Sequence, residues 1–212
     1  MAEYSHSSAA NRPSHCRSRA RAHARRLARA DWRARGKSGG CLPLFHDGTE
    51  RPIPRPKNTG EQKDYWSGKA HDHTVKNIIL ADRSATIWFL SDTIAGASHE
   101  KHLADTMPYP LPTGSELLQD IGFLGFSLPE VTITMPHKKP KGQTLTAIQK
   151  AHNRVISRRR VRIEHIISAV KRCCIVKDDI RLRADHMRDT VMEICCALHN
   201  LRLMHAPWKP AH

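Results

Sequence analysis

Short β-like runs separated by polar connections fill the middle of the chain, and only after residue 145 does the apolar spacing become helical. Leu42–Phe45 is an apolar run that predicts a strand, with Asp47 at its end and a turn over Asp47-Gly-Thr-Glu50. The prolines of Arg51–Pro56 favour extended chain, and residues 58–69 read as a polar loop. Thr74–Ala81 and Ala85–Ser91 predict a hairpin about the turn Asp82-Arg-Ser84. Ser98–Met107 predicts a short helix capped by Ser98, and prolines break the chain over residues 108–114. Ser115–Gln119 predicts a strand that ends on Asp120, and Val131–Met135 another, followed by a basic loop over residues 136–142. Thr146 and Gln149 form a capping box. It opens a helix with apolar positions Ile156, Ile163, Ile166, Ile167 and Val170. A last helix starts near Asp185 with the stripe Met187, Val191, Ile194, Cys195, Leu198 and Leu201. This order predicts an α/β fold with a mixed sheet.

A length of 212 residues suits one domain and a tail. No apolar run approaches the roughly 20 residues of a spanning helix, and the first 30 residues lack the apolar region of a secretory signal. An intracellular protein is therefore expected. Lys and Arg outnumber Asp and Glu by 35 to 20, a net charge of +15. Residues 1–41 hold 10 basic and 2 acidic side chains, and the remainder is basic as well. Such a balance calls for a polyanion, nucleic acid first. Three regions follow: residues 1–41, an Arg/Ala-rich segment too poor in apolar side chains to fold alone; a globular region, 42–205; and a tail, 206–212. The six cysteines form no Cys-x-x-Cys pair, so small buried apolar side chains are expected rather than a zinc clamp. Gly36-Lys37-Ser38 lacks the first glycine of a phosphate loop, since Asp31 stands there.

Candidate chemistry lies in three acids. Glu164 is the sole acid between Val131 and Lys177, among twelve cations. It reads either as half of a helix ion pair, with Arg160 at i−4 or Lys171 at i+7, or as a metal ligand whose neighbours hold phosphates. Asp47 and Asp120 each read as a turn residue or as a carboxylate at a strand tip, the edge where α/β sheets carry their sites. Were the two strands neighbours, the tips would stand about 5 Å apart. With a helical third acid they would make an oxygen cage suited to Mg²⁺ or Mn²⁺. Two such ions serve phosphodiester displacement.

A set of ordered motifs sharpens this. Residues 45–205 resemble the catalytic region of DDE-type insertion-sequence transposases, the endonuclease superfamily related to Harbinger elements. The resemblance is carried by Asp47-Gly-Thr-Glu-Arg-Pro-Ile53, Tyr65-Trp-Ser-Gly-Lys69, His73-Thr-Val-Lys-Asn77 and Leu117–Phe126. It continues through Lys138-Lys-Pro-Lys-Gly142, Arg160–Ile167, Val170-Lys-Arg172 and Leu198-His-Asn-Leu-Arg202. It implies a ribonuclease-H-like mixed sheet flanked by helices. It implies that Asp47, Asp120 and Glu164 are the catalytic, metal-binding triad for two Mg²⁺ (or Mn²⁺) ions. It also implies hydrolysis and strand transfer on DNA, both element ends and target, by a homo-oligomer in the bacterial cytoplasm at the nucleoid. DNA contacts are expected from Lys138, Lys139, Lys141, Arg158, Arg160, Arg162, Lys171 and Arg172, with His165 beside them. The family's usual helix-turn-helix before the first acid has no counterpart in residues 1–41, so an N-terminally truncated start is expected. The family's His-Asp after the third strand is here His99-Glu100. Two other readings stay open: a degenerate remnant that coats DNA without cutting, and a basic structural nucleic-acid protein.

Overall fold

A computed structural model describes residues 43–207 apart from Pro108 and Pro110; the basic segment 1–41 and the end of the tail lie outside the described residues. The first strand, β1 (Pro43–Pro52), does not stop at Asp47-Gly48. It runs on through the whole motif because nine consecutive residues pair antiparallel with β3 (Asp72–Asp82), from Leu44↔Asp82 to Pro52↔Thr74. The turn expected at Asp47 is thus overridden by a long ladder, and Asp47 sits in mid-strand.

Seven strands form one mixed sheet. Its path is β2 (Trp66–Ser67), β3, β1, β6 (Glu116–Gln119) and β7 (Thr132–Thr134). β4 (Ile87–Leu90) and β5 (Ile94–Ala95) add antiparallel to β3. β1–β6 and β6–β7 are parallel. Helix α1 (Thr59–Tyr65) occupies the expected polar loop; Asn58 caps it by accepting from Gly60 N, and Glu61 sits in its first turn. Helix α2 (Glu100–Thr106) is capped by the backbone of His99, one residue beyond the expected Ser98, with no side-chain cap bond. Helix α3 (Ala147–Val170) opens on the Thr146–Gln149 capping box. Helix α4 (Asp185–His205) is the last.

Both sheet faces are covered, which is why Ile78-Ile79-Leu80 reads as an unbroken apolar run. Phe45, Ile79 and Leu118 pack on Ile156, Ile163, Ile166 and Val170 of α3 and on Met192, Cys195 and Cys196 of α4. Leu44, Ile78, Leu80 and Leu117 pack on Leu103 and Ala104 of α2 and on Phe123 and Phe126. This curled mixed sheet with helices on both faces is the ribonuclease-H-like class. Among the described residues no helix is long and apolar enough to cross a membrane. Cys195 and Cys196 are buried, and burial pushes their thiols up to about 11 and about 12.

One expectation is corrected. The inward face of α4 is Arg188, Met192, Cys195, Cys196 and His199, whereas Met187, Ile194, Leu198 and Leu201 are exposed. Arg188 and His199 are tolerated inside because each has a partner: Arg188 donates to Leu182 O, and His199 Nε2 to Ala85 O.

Candidate active site

The parallel register of β1 and β6 pairs His46 with Gln119, so the next residue of each strand, Asp47 and Asp120, stand side by side. They differ in backbone setting. Asp47 continues the strand, and its Oδ1 accepts from Gly48 N at 2.8 Å. Asp120 leaves the sheet as the cap of a 3₁₀ turn over Ile121–Phe123, its Oδ1 accepting from Ile121 N at 2.7 Å. Beneath them His46 is fully buried, with Nδ1 near Gln119 Oε1 and Nε2 near Tyr109 Oη. Since Gln119 Oε1 can only accept, Nδ1 carries the proton and Tyr109 donates to Nε2. Burial drops the imidazole to about 4, so this support is neutral.

Arg160 of α3 reaches both aspartates, Nη2 at 3.7 Å from Asp47 Oδ2 and Nη1 at 3.1 Å from Asp120 Oδ1. One guanidinium therefore spans two carboxylates. It does not neutralise Asp47 fully. Burial raises that carboxyl to about 6, opposed by Arg160 and the Gly48 amide and reinforced by Glu100 and Asp120. Arg160 Nε is buried without a partner among the described residues.

Glu100, the first residue of α2, approaches from the other side of the sheet. Gly48 and Gly122 make room for it. A Cβ on Gly48 would lie 3.1 Å from Glu100 Oε1, and a Cβ on Gly122 would collide with Oε2. These glycines follow Asp47 directly and Asp120 by two residues. A third carboxylate thus comes near enough to act on the charge of Asp47 through the absence of two side chains. Its signal in the sequence was the His99-Glu100 pair together with those glycines.

Glu164 lies one helical turn beyond Arg160 on the same stripe of α3 and is exposed. Neither expected ion pair forms. Arg160 turns to the aspartates, and Lys171 Nζ donates to Glu50 O at 2.7 Å. Among the described residues no three His, Cys, Asp or Glu side chains stand close enough to hold a metal ion. The structure brings Asp47 and Asp120 together and leaves Glu164 apart.

The expected DNA contacts divide. Lys138, Lys139 and Lys141 are exposed on the loop after β7, whose root is tied to α3 by two bonds between Asn153 and the backbone of His137. Arg158 and Arg172 are exposed. Arg162 instead donates to Arg83 O, on the flank of α3 away from the aspartates. Two motif residues prove structural. Arg51 is fully buried and donates to Asn77 Oδ1, Thr93 Oγ1 and Arg188 O. Asn200 donates to Ile87 O and accepts from Ile87 N.

A curled mixed sheet carrying paired aspartates on adjacent parallel strands, faced by a long cationic helix, is compatible with the ribonuclease-H-like class of fold. Residues 46–200 match the DDE superfamily endonuclease family, and the chain belongs to that family. It is similar to the probable transposase for insertion sequence element IS702 of Microchaete diplosiphon, 33% identical over 138 residues, which cover 65% of this chain and 49% of that protein. The chain thus spans about half the length of the curated relative it matches. No solved structure matches it.

Proposed function

We propose that this chain is the catalytic domain of a transposase that cuts and joins DNA with divalent metal, through Asp47, Asp120 and Glu164. The observation that carries the reading is the pairing of Asp47 and Asp120 on adjacent strands beneath one bridging arginine. Their oxygens are the donor type that Mg²⁺ and Mn²⁺ prefer, and Glu100, in its glycine-lined cradle, adds negative charge that acts on Asp47. When bound, such ions supply an activated water or 3′-hydroxyl and stabilise the leaving oxygen. The chain's own part is separate. Asp47 and Asp120 would hold the metal from strands β1 and β6. Glu164 would join them from α3. Glu100 would concentrate negative charge at the same place. Arg160 offsets one of the two aspartate charges and would contact phosphate. Lys138, Lys139, Lys141, Arg158 and Lys171 would hold the DNA backbone, and a homo-oligomer would pair element ends with the target.

Purified protein should nick supercoiled plasmid in Mg²⁺ or Mn²⁺, and Asp120→Asn should abolish nicking. Absence of nicking, or equal nicking by Asp120→Asn, overturns the reading. A second reading, a chain that binds DNA without cutting, draws on the exposed and separate Glu164. It predicts DNA binding with no nicking in either metal.

A further inference from the structure

Helix α3 carries two distinct polar stripes. At about 100° per residue, positions 160, 164, 167 and 171 fall on one flank, which faces Asp47, Asp120 and Glu50. Positions 162, 165, 169 and 172 fall roughly opposite, beside α4. There α3, α4 and the β3–β4 turn enclose an open cleft of about 610 Å³. Its lining includes Arg162, His165 and Arg172 from α3 and His199 and Arg202 from α4; among the described residues no carboxylate lines it, while Asp82 acts on Arg162 from beside it.

The floor is built rather than incidental. Ala85 holds a left-handed backbone, φ 67°, and its carbonyl accepts from His199 Nε2 at 2.9 Å. His199 is 8% exposed, and its other ring nitrogen, Nδ1, is buried without a partner among the described residues. Arg172 and Arg202 both lie near enough to act on this ring. The cations also suit an extended ligand. His165 and Arg172 are seven residues apart, about 10 Å along the helix. A single small anion cannot span that distance, whereas a duplex presents a charge about every 1.7 Å. The half-buried Leu203 leaves some apolar surface against which sugars can rest.

We propose that the α3–α4 cleft is a second DNA-backbone site, separate from the aspartate edge, which holds duplex through His165, Arg172 and Arg202. The proposal rests on the transposase reading for the identity of the polyanion. Its test therefore measures binding, not cutting.

The full chain is titrated against a labelled 20-base-pair duplex of arbitrary sequence, in EDTA, at several salt concentrations. Arg172→Glu/Arg202→Glu is compared with Lys57→Glu/Lys63→Glu, which makes the same charge change on exposed residues outside the cleft lining. The cleft variant should bind at least tenfold more weakly than this control, and its slope of log K against log salt should fall by about two. The milder Arg172→Gln/Arg202→Gln should lose part of the affinity, with an unchanged melting temperature. Equal losses in cleft and control variants overturn the proposal. So does a cleft variant that binds as the wild type does while Lys138→Glu/Lys139→Glu loses binding; that result leaves the catalytic reading intact. Absence of nicking with the cleft effect present would sink the catalytic reading alone.

Discussion

Two arginines on the same side of the sheet do opposite work. Arg51 lies four residues beyond Asp47 on β1, is fully buried, and gives its donors to Asn77, Thr93 and the carbonyl of Arg188. Asp189 of α4 lies close enough to support its charge and itself accepts from Thr93 N. Arg160 keeps 13% of its side chain exposed and meets two carboxylates, one of them at 3.7 Å. The first is locked among short-range partners and joins β1, β3 and α4. The second sets one positive charge against a pair of acids and leaves them short of balance. Charge burial alone does not identify an active site; what matters is whether the partners would be satisfied without the residue.

The largest expected effect breaks this contrast at its structural end. Arg51→Ala should destabilise the fold by about 3–5 kcal/mol, since it strands a buried polar network beside Asp189. Arg160→Ala should lower urea stability by only about 1 kcal/mol. Equal losses in the two would erase the distinction. Next, Gly122→Ala should push the flexible end of Glu100 aside and cost less than about 1 kcal/mol. Glu100→Ala in the same chain should recover most of it, read as a coupling in a double-mutant cycle. Additive losses would mean that the glycine does not serve the carboxylate. Asp120→Asn should also change urea stability by less than about 1 kcal/mol, because the carboxylate is partly exposed. It should nonetheless remove binding of Mn²⁺ followed by electron paramagnetic resonance.

The smallest effect concerns pH. Burial, then Arg172 and Arg202, hold His199 below the usual histidine range, against the bond to Ala85 O. The unfolded chain therefore binds the proton more readily. Stability is complete above about pH 6.5 and falls as pH drops below it, by at most about 1.4 kcal/mol per unit. Melting temperature at pH 7.5 and 5.5 measures this; His199→Asn should lessen the slope, and the more deeply buried His46 supplies the remainder with the same sign.

Much of this was legible in the sequence. The capping box at Thr146 and Gln149 fixed the start of α3, and the strand before Asp120 lay where its alternation placed it. Asp47 was read one element short because Asp-Gly is a strong turn signal, and only the pairing with β3 overrides it. Helix α1 was missed, although Asn58 with Glu61 three residues on was available as a start signal. The inward face of α4 could not be found by hydropathy. Its buried residues include Arg188 and His199, whose partners are carbonyls distant in sequence or on the preceding loop. At the site, the neighbouring aspartates followed once β1 and β6 were adjacent. The cradle of Glu100 did not, because it depends on what two glycines lack.

Asn200 has a consequence beyond docking α4. Its amide binds both the N–H and the C=O of Ile87, as a residue of an adjoining strand would. One side chain thereby stands in for a neighbour along the outer margin of β4. A foreign segment seeking to extend the sheet finds that rung already taken, so the helix guards the molecule against intermolecular strand addition and aggregation.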